Sequence, residues 1–126
     1  GGRGPRIEGI AHNIDAHQPG FRDLAESPST RRALEAAGGL ADVEAAELHT
    51  PYSPQHLILR KALSLGEGIE VNPSGGSFAS DTPMVAGLVR IGEAARAVSS
   101  GAKRALAHAT SGPCLQQNLI CVLGAG

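Results

Sequence analysis

The chain has 126 residues, with 11 Lys and Arg against 12 Asp and Glu and a net charge of −1, so no basic surplus points to nucleic acid or an anionic membrane as a partner. Its three aromatic residues, Phe21, Tyr52 and Phe78, are too few for a base-stacking platform and leave the core to Ala, Leu, Val and Ile. No apolar run reaches the length of a membrane-spanning helix, and a single compact domain, 1–126, is expected at this size.

Residues 1–5 are polar and glycine-rich, unlike a signal peptide. The two cysteines, Cys114 and Cys121, allow one disulfide but no framework, and a reduced, cytoplasmic setting fits them better. Residues 7–14, with Ile7, Ile10 and Ile14, read as a strand that ends at Pro19-Gly20. Ser27-Pro28-Ser29-Thr30 predicts a helix cap, with the helix running to Ala37 and stopping at Gly38-Gly39. Residues 42–48 have helical propensity, but helices flank them on both sides, so residues 45–48 are read as a short strand. Ser53-Pro54 opens the next helix, with proline in its first turn, and residues 66–68 end it. Ile69-Glu70-Val71 is a third strand.

The chain then turns through Asn72-Pro73-Ser74-Gly75-Gly76, a sequence with positive-φ freedom and room for close backbone approach. A helix from Pro83 to about Val98 follows. It is apolar on most of its circumference, which predicts the most buried helix of the chain. A glycine turn feeding such a helix can present backbone N–H groups to an oxyanion; the alternative is a tight turn that only closes a strand. Residues 105–109 and 119–123 form two last strands around Ser111-Gly112-Pro113. The order βαβαβαββ predicts an α/β fold, with a largely parallel, mixed five-stranded sheet and helices on both faces.

Glu47-Leu48-His49-x-x-Tyr52 before a helix, the Asn72-Pro73-Ser74-Gly75-Gly76 turn and the strand Gln116-Gln117-Asn118-Leu119-Ile120-Cys121-Val122-Leu123, taken with this element order, resemble the C-terminal half of a degenerate thiolase-like protein, of the kind labelled lipid-transfer protein or acetyl-CoA acetyltransferase. The resemblance covers essentially the whole chain. It implies one half of a five-layered enzyme that makes or breaks a carbon–carbon bond next to an acyl-CoA thioester, with no resident cofactor beyond that substrate. The resemblance also has gaps. A standard thiolase follows its glycine turn with Gly-His-Pro, whereas this chain has Ser80-Asp81-Thr82-Pro83 and no histidine there. The family's second cysteine belongs to a Cys-x-Gly loop; counting back from Val122-Leu123 puts Gly112 at its position, with Cys114 two residues on. The nucleophilic cysteine of the family belongs to the N-terminal half, which this chain does not contain.

His49 matches the histidine of the family's His-Asp-x-Phe type motif, whose ring N–H helps form an oxyanion site; a histidine that bonds a carbonyl at a strand end is the structural alternative. Tyr52 stands at the family's phenylalanine. Its hydroxyl would move the β-hydroxyl proton in a retro-aldol cleavage, unless it only packs. Cys114 in a glycine loop is a candidate thiolate, against the alternative of an inert cysteine. Asn72, Ser74, Gly75 and Gly76 are the expected substrate-binding residues. Cys121 is expected in the core and His108 in the core or an interface, and His12, His17 and His56 lack partners at metal-ligand spacing. Two functions compete: the acyl-CoA-binding domain of an acyltransferase or retro-aldol enzyme of lipid metabolism, or a non-catalytic subunit that binds acyl-CoA or lipid or scaffolds a partner. The expected partners are acyl-CoA and a thiolase N-terminal half or an OB-fold acyl-CoA protein. An apolar patch of Met84, Val85, Leu88, Val89 and Ile91 predicts a homo- or hetero-oligomer.

Overall fold

A computed structural model describes residues 4–80 and 82–126; residues 1–3, at the start of the glycine-rich terminus, and Asp81 lie outside them. The elements run β1 (Arg6–Ile14), α1 (Pro28–Ala36), β2 (Val43–Leu48), α2 (Ser53–Ala62), β3 (Glu70–Val71), α3 (Gly76–Ala79), α4 (Ala86–Ser99), β4 (Arg104–Ser111) and β5 (Gln117–Gly124). One five-stranded sheet has the order β1-β5-β4-β2-β3. β2 pairs in parallel with β3 and β4, while β5 is antiparallel to both β4 and β1. Only β5 therefore runs against the rest, which makes the sheet mixed but largely unidirectional, as the element order predicts.

The pleat sends alternate residues to opposite faces, and each face has its own core. Ala46, Leu48, Leu106, Ile120 and Val122 meet Ala33 of α1 and Leu59 of α2. Ala45, Ala105, Ala107, Cys121 and Leu123 meet Ala94 and Val98 of α4. Alanines on both sides of the second interface let α4 approach the sheet closely. A Cβ added at Gly87 would lie 2.7 Å from the Cβ of Ala109.

Helix ends follow local chemistry, with two departures from expectation. Ser27 does not cap α1 through its side chain; its hydroxyl bonds Thr30 instead. Asp15, just past β1, supplies the cap, accepting the Ser29 N–H at 3.1 Å and placing a carboxylate at the positive end of the helix dipole. The second departure is α4. It begins at Ala86 rather than Pro83, because residues 82–85 form a turn closed by Val85 N–H to Thr82 O at 2.9 Å. Nor is it buried all round. Ala86, Arg90, Ala94 and Val98, spaced four apart, face the sheet, while Met84, Val85 and Leu88 are exposed, Leu88 by 70%; Val89 and Ile91 are half-buried. The exposed face of α4, Leu88, Gly92, Arg96 and Ser99, carries a single large apolar side chain. Ile7, Ile10 and Ile14 of β1 are exposed as well; β1 lies beyond the strands that α4 covers.

Gly9 sits at an irregularity in the β1–β5 ladder, where a Cβ would run into the backbone carbonyl of Ala37 at the end of α1. Gly9→Ala is expected to lower unfolding free energy by about 1–3 kcal/mol in urea titration, the usual cost of overpacking. Gly20→Ala, where a Cβ meets nothing within 4 Å, should stay within about 0.5 kcal/mol.

Candidate functional site

β2 and β3 are neighbours, but the connection leaving β2 goes to α2 on one face and that leaving β3 goes to α4 on the other. Such a divergence opens a crevice at the carboxyl ends of the strands. Asn72 fills it. Held at φ 54°, it donates its N–H to Ala46 O at 2.8 Å and accepts the Leu48 N–H on Oδ1 at 2.6 Å, so its side chain continues the ladder that β3 is too short to complete. Gly75 and Gly76 have φ of 91° and 60°. A Cβ on Gly76 would lie 2.8 Å from the Asn72 amide carbon, so the turn folds directly over that side chain.

Beneath the turn lies a feature the sequence reading did not single out. Glu47 is 1% exposed and Arg90 2%, and they pair at 3.2 Å. The Glu47 carboxylate also accepts the Ser74 N–H at 2.9 Å and its hydroxyl at 2.7 Å, while the Ser74 Oγ accepts from Arg90 at 3.3 Å and from the Gly76 N–H at 3.2 Å. The Gly75 N–H goes to Asn72 O at 2.8 Å. The amides of Ser74, Gly75 and Gly76 are thus spent within the protein. That is the tight turn closing a strand, the alternative to a cradle of N–H donors.

His49 follows β2 and is half-buried. Its N–H donates to His108 O at 3.2 Å and its Nδ1 accepts the Thr110 N–H in a long contact of 3.5 Å. Tyr52, at the start of α2, is 68% exposed. It lines an open, mostly apolar cleft of about 460 Å³ together with Leu24, Ile58, Pro113 and Cys114; His49 and residues 72–76 do not line it. Cys114 is an exposed free thiol at φ 52°, followed by Leu115 at 57°, a conformation that costs energy for residues with a side chain. Arg22 clamps this loop, donating to Cys114 O at 3.1 Å and Pro113 O at 3.0 Å. The structure therefore brings Tyr52 and Cys114 to one cleft, sets Asn72, Ser74, Gly75 and Gly76 at a crevice that shares no lining residue with it, and places His49 at the end of β2 against β4.

On the α1 side of the sheet, His108 is completely buried, and burial, with a smaller contribution from the nearby His49, pushes its pKa down to about 4 against the opposing effect of its hydrogen bond to Asn118. Its Nε2 lies 2.8 Å from Asn118 Oδ1. Asp15 would be raised by burial, but bonds from Ser29 and Arg32 hold its carboxyl below the usual value. Burial raises the Cys121 thiol, in keeping with its place in the core. The sequence carried only a weak signal for Glu47 and Arg90: Glu47 shares its short strand with Glu44 and Arg90 its helix with Glu93, so nothing in the local pattern marks the pair as buried.

Removing one member of the Glu47–Arg90 pair is expected to cost about 3–5 kcal/mol, because it strands a buried charge; the double variant Glu47→Gln/Arg90→Met should cost less than the sum of the two singles, as read by a urea double-mutant cycle. For His108 the sign runs one way. The folded pKa lies below the ordinary 6.5, so above that pH the residue contributes nothing, and from 6.5 down to about 4 the unfolded chain binds a proton that the native state refuses. Stability should fall by about 3 kcal/mol across that window. His108→Leu should flatten this part of the pH–stability curve.

No family model matches the sequence, and no curated protein matches it. Among solved structures it is similar to the crystal structure of a monomeric SCP2-thiolase-like protein type 1 from Mycobacterium smegmatis, with a TM-score of 0.76 and 20% identity. The match covers 95% of this chain and 29% of that one, so the chain spans under a third of its neighbour's length. The sheet order, the crossovers and this similarity agree: the chain has the fold of a thiolase-like domain.

Proposed function

We propose that the chain is the acyl-CoA-binding C-terminal half of a thiolase-like acyltransferase or carbon–carbon bond enzyme, completed by an N-terminal half or a partner. The observation that carries this reading is that these groups stand at the carboxyl ends of the parallel strands: His49 after β2, the Asn72 turn after β3 across the crevice, and, lined by other residues, an apolar cleft bordered by Tyr52 and Cys114. A thioester needs a donor at its carbonyl oxygen when that oxygen becomes an enolate. In this reading the His49 ring is that donor. In a retro-aldol cleavage Tyr52, in its phenolate form, takes the proton of the β-hydroxyl, the Cα–Cβ bond breaks, the carbonyl product leaves, and Tyr52 returns that proton to the enolate at Cα.

The partner half answers the uncovered apolar surface. Met84 and Val85 in the turn before α4, Leu88 on α4, and Ile7, Ile10 and Ile14 on β1 are exposed, and the similar solved protein is monomeric and much longer than this chain. A surface of this kind supports burial against a missing half or a second protein. The second reading, a non-catalytic acyl-CoA-binding or scaffolding subunit, is favoured by one observation: the amides of Ser74, Gly75 and Gly76 are all engaged internally.

Binding of an acyl-CoA by calorimetry, followed by turnover in the full assembly, separates the two. His49→Ala should lower kcat by roughly 10²-fold or more, and Tyr52→Phe should keep binding while abolishing retro-aldol turnover. Wild-type turnover in both variants would leave only the binding-subunit reading, and absence of acyl-CoA binding in the assembly would remove both.

A further inference from the structure

Cys114 and Leu115, in the loop between β4 and β5, are consecutive left-handed residues at φ 52° and 57°. Neither is glycine, and such a pair persists only where its surroundings over-determine it. The conformation of a residue is the relation between the two peptide planes that flank it. Arg22 Nη2 donates to Pro113 O at 3.0 Å and Nη1 to Cys114 O at 3.1 Å, so one guanidinium holds both planes around Cys114. Asn118 Nδ2 donates to Leu115 O at 2.8 Å, so Arg22 and Asn118 together hold both planes around Leu115. Two left-handed residues in a row turn their carbonyls the same way, as a turn of helix does. The rigid fork of arginine offers two N–H groups side by side to match them. The pairing of β4 with β5 ends at Ser111 and Gln117, short of all three carbonyls.

The two side chains part at this point. Leu115 is 2% exposed and joins the core on the α1 and α2 side, whereas Cys114 is exposed and lines the apolar cleft. Arg22 is set by the turn of residues 19–22, its N–H donating to Pro19 O at 3.0 Å. Leu24, two residues on, lines the same cleft, and no Asp, Glu, Lys, Arg or His is among the residues that do. We propose that Arg22 is a positioning residue for this cleft. By fixing the peptide planes on either side of Cys114 it holds the thiol beside the uncharged surface of Leu24, Tyr52 and Ile58, and so reserves that wall for the apolar chain of a ligand rather than its charged end. The role rests on the reading of the cleft as part of an acyl-CoA site, while the geometry of the clamp is a property of this chain alone.

The test reads the Cys114 thiol, since Cys121 is fully buried. Octyl and sulfonatoethyl methanethiosulfonate are each reacted with the full chain near neutral pH, and the ratio of their rates at Cys114 is compared with the same ratio in the urea-unfolded chain. Both reagents meet one thiolate, so the ratio cancels its intrinsic reactivity. In the wild type the ratio should favour the octyl reagent by roughly tenfold over the unfolded chain, about what burying two methylene groups supplies. Arg22→Met should bring the ratio back to that of the unfolded chain. Val43→Ala, at a buried position near the other end of the sheet, should lower the melting temperature and leave the ratio as it was, which separates positioning from general loss of stability. Should Arg22→Met fail to fold, Arg22→Lys, which keeps the charge without the planar fork, is the variant to read, and its ratio should fall as well. A wild-type ratio equal to that of the unfolded chain, or a full ratio in either folded Arg22 variant, overturns the proposal. Acyl-CoA binding is measured separately by calorimetry. A chain that binds acyl-CoA while Arg22→Met keeps the full ratio loses the positioning role and retains the proposed function; one whose ratio depends on Arg22 but which binds no acyl-CoA does the reverse.

Discussion

The buried pair of Glu47 and Arg90 joins three elements that local sequence preference would not bring together. It links β2, the turn after β3 and α4, and the carboxylate accepts three donors from two of them. Two desolvated charges are a poor source of net stability, and their value here is geometric. A carboxylate that must satisfy an arginine, a hydroxyl and an amide at once admits one arrangement of the turn. The ladder that Asn72 completes, the positive φ of the glycines and the distance of α4 from the sheet all depend on that arrangement.

A second polar network lies on the other face of the sheet and does comparable work with one carboxylate at its rim. Asp15 caps α1, pairs with Arg32 and starts a chain of hydrogen bonds through Ser29 and Asn118 to His108. The sheet is thus pinned on both faces at the same end, the end where β2, β3 and β4 finish. The opposite end carries ion pairs that are more exposed, such as Glu8 with Arg104, which contribute little. Polar order is concentrated where the candidate site lies.

The sequence reveals the order of elements because each is marked within a few residues: Pro28 and Pro54 in first turns, Gly38-Gly39 and Gly101 after last turns, a continuous apolar run in residues 119–123. It reveals less wherever the partner is remote. Ser27 looks like a cap, but Asp15 takes that task because β1 ends beside α1, a fact of tertiary arrangement. Arg90 lies 43 residues from Glu47, beyond any periodicity, and an apolar stretch of helix is read as burial without telling which face is buried in which body. His49, Tyr52, Cys114 and the 72–76 turn are found from motif spacing, yet spacing does not say that Tyr52 and Cys114 share a cleft or that the amides of the turn are already used.

The two sides of the sheet differ in how they answer to change in volume. On the α1 and α2 side, large residues such as Leu48, Leu59, Leu63 and Ile120 interlock, so truncation opens cavities. On the α4 side, Ala45, Ala105, Ala107 and Ala94 bring backbone close to backbone, and there is little to remove. Enlargement is what that side resists, because an added methyl group must push a whole helix outward, carrying Arg90 away from Glu47 and loosening the turn at the crevice. Drift toward bulkier residues on this face would thus erode the site from a distance, without touching any residue that lines it.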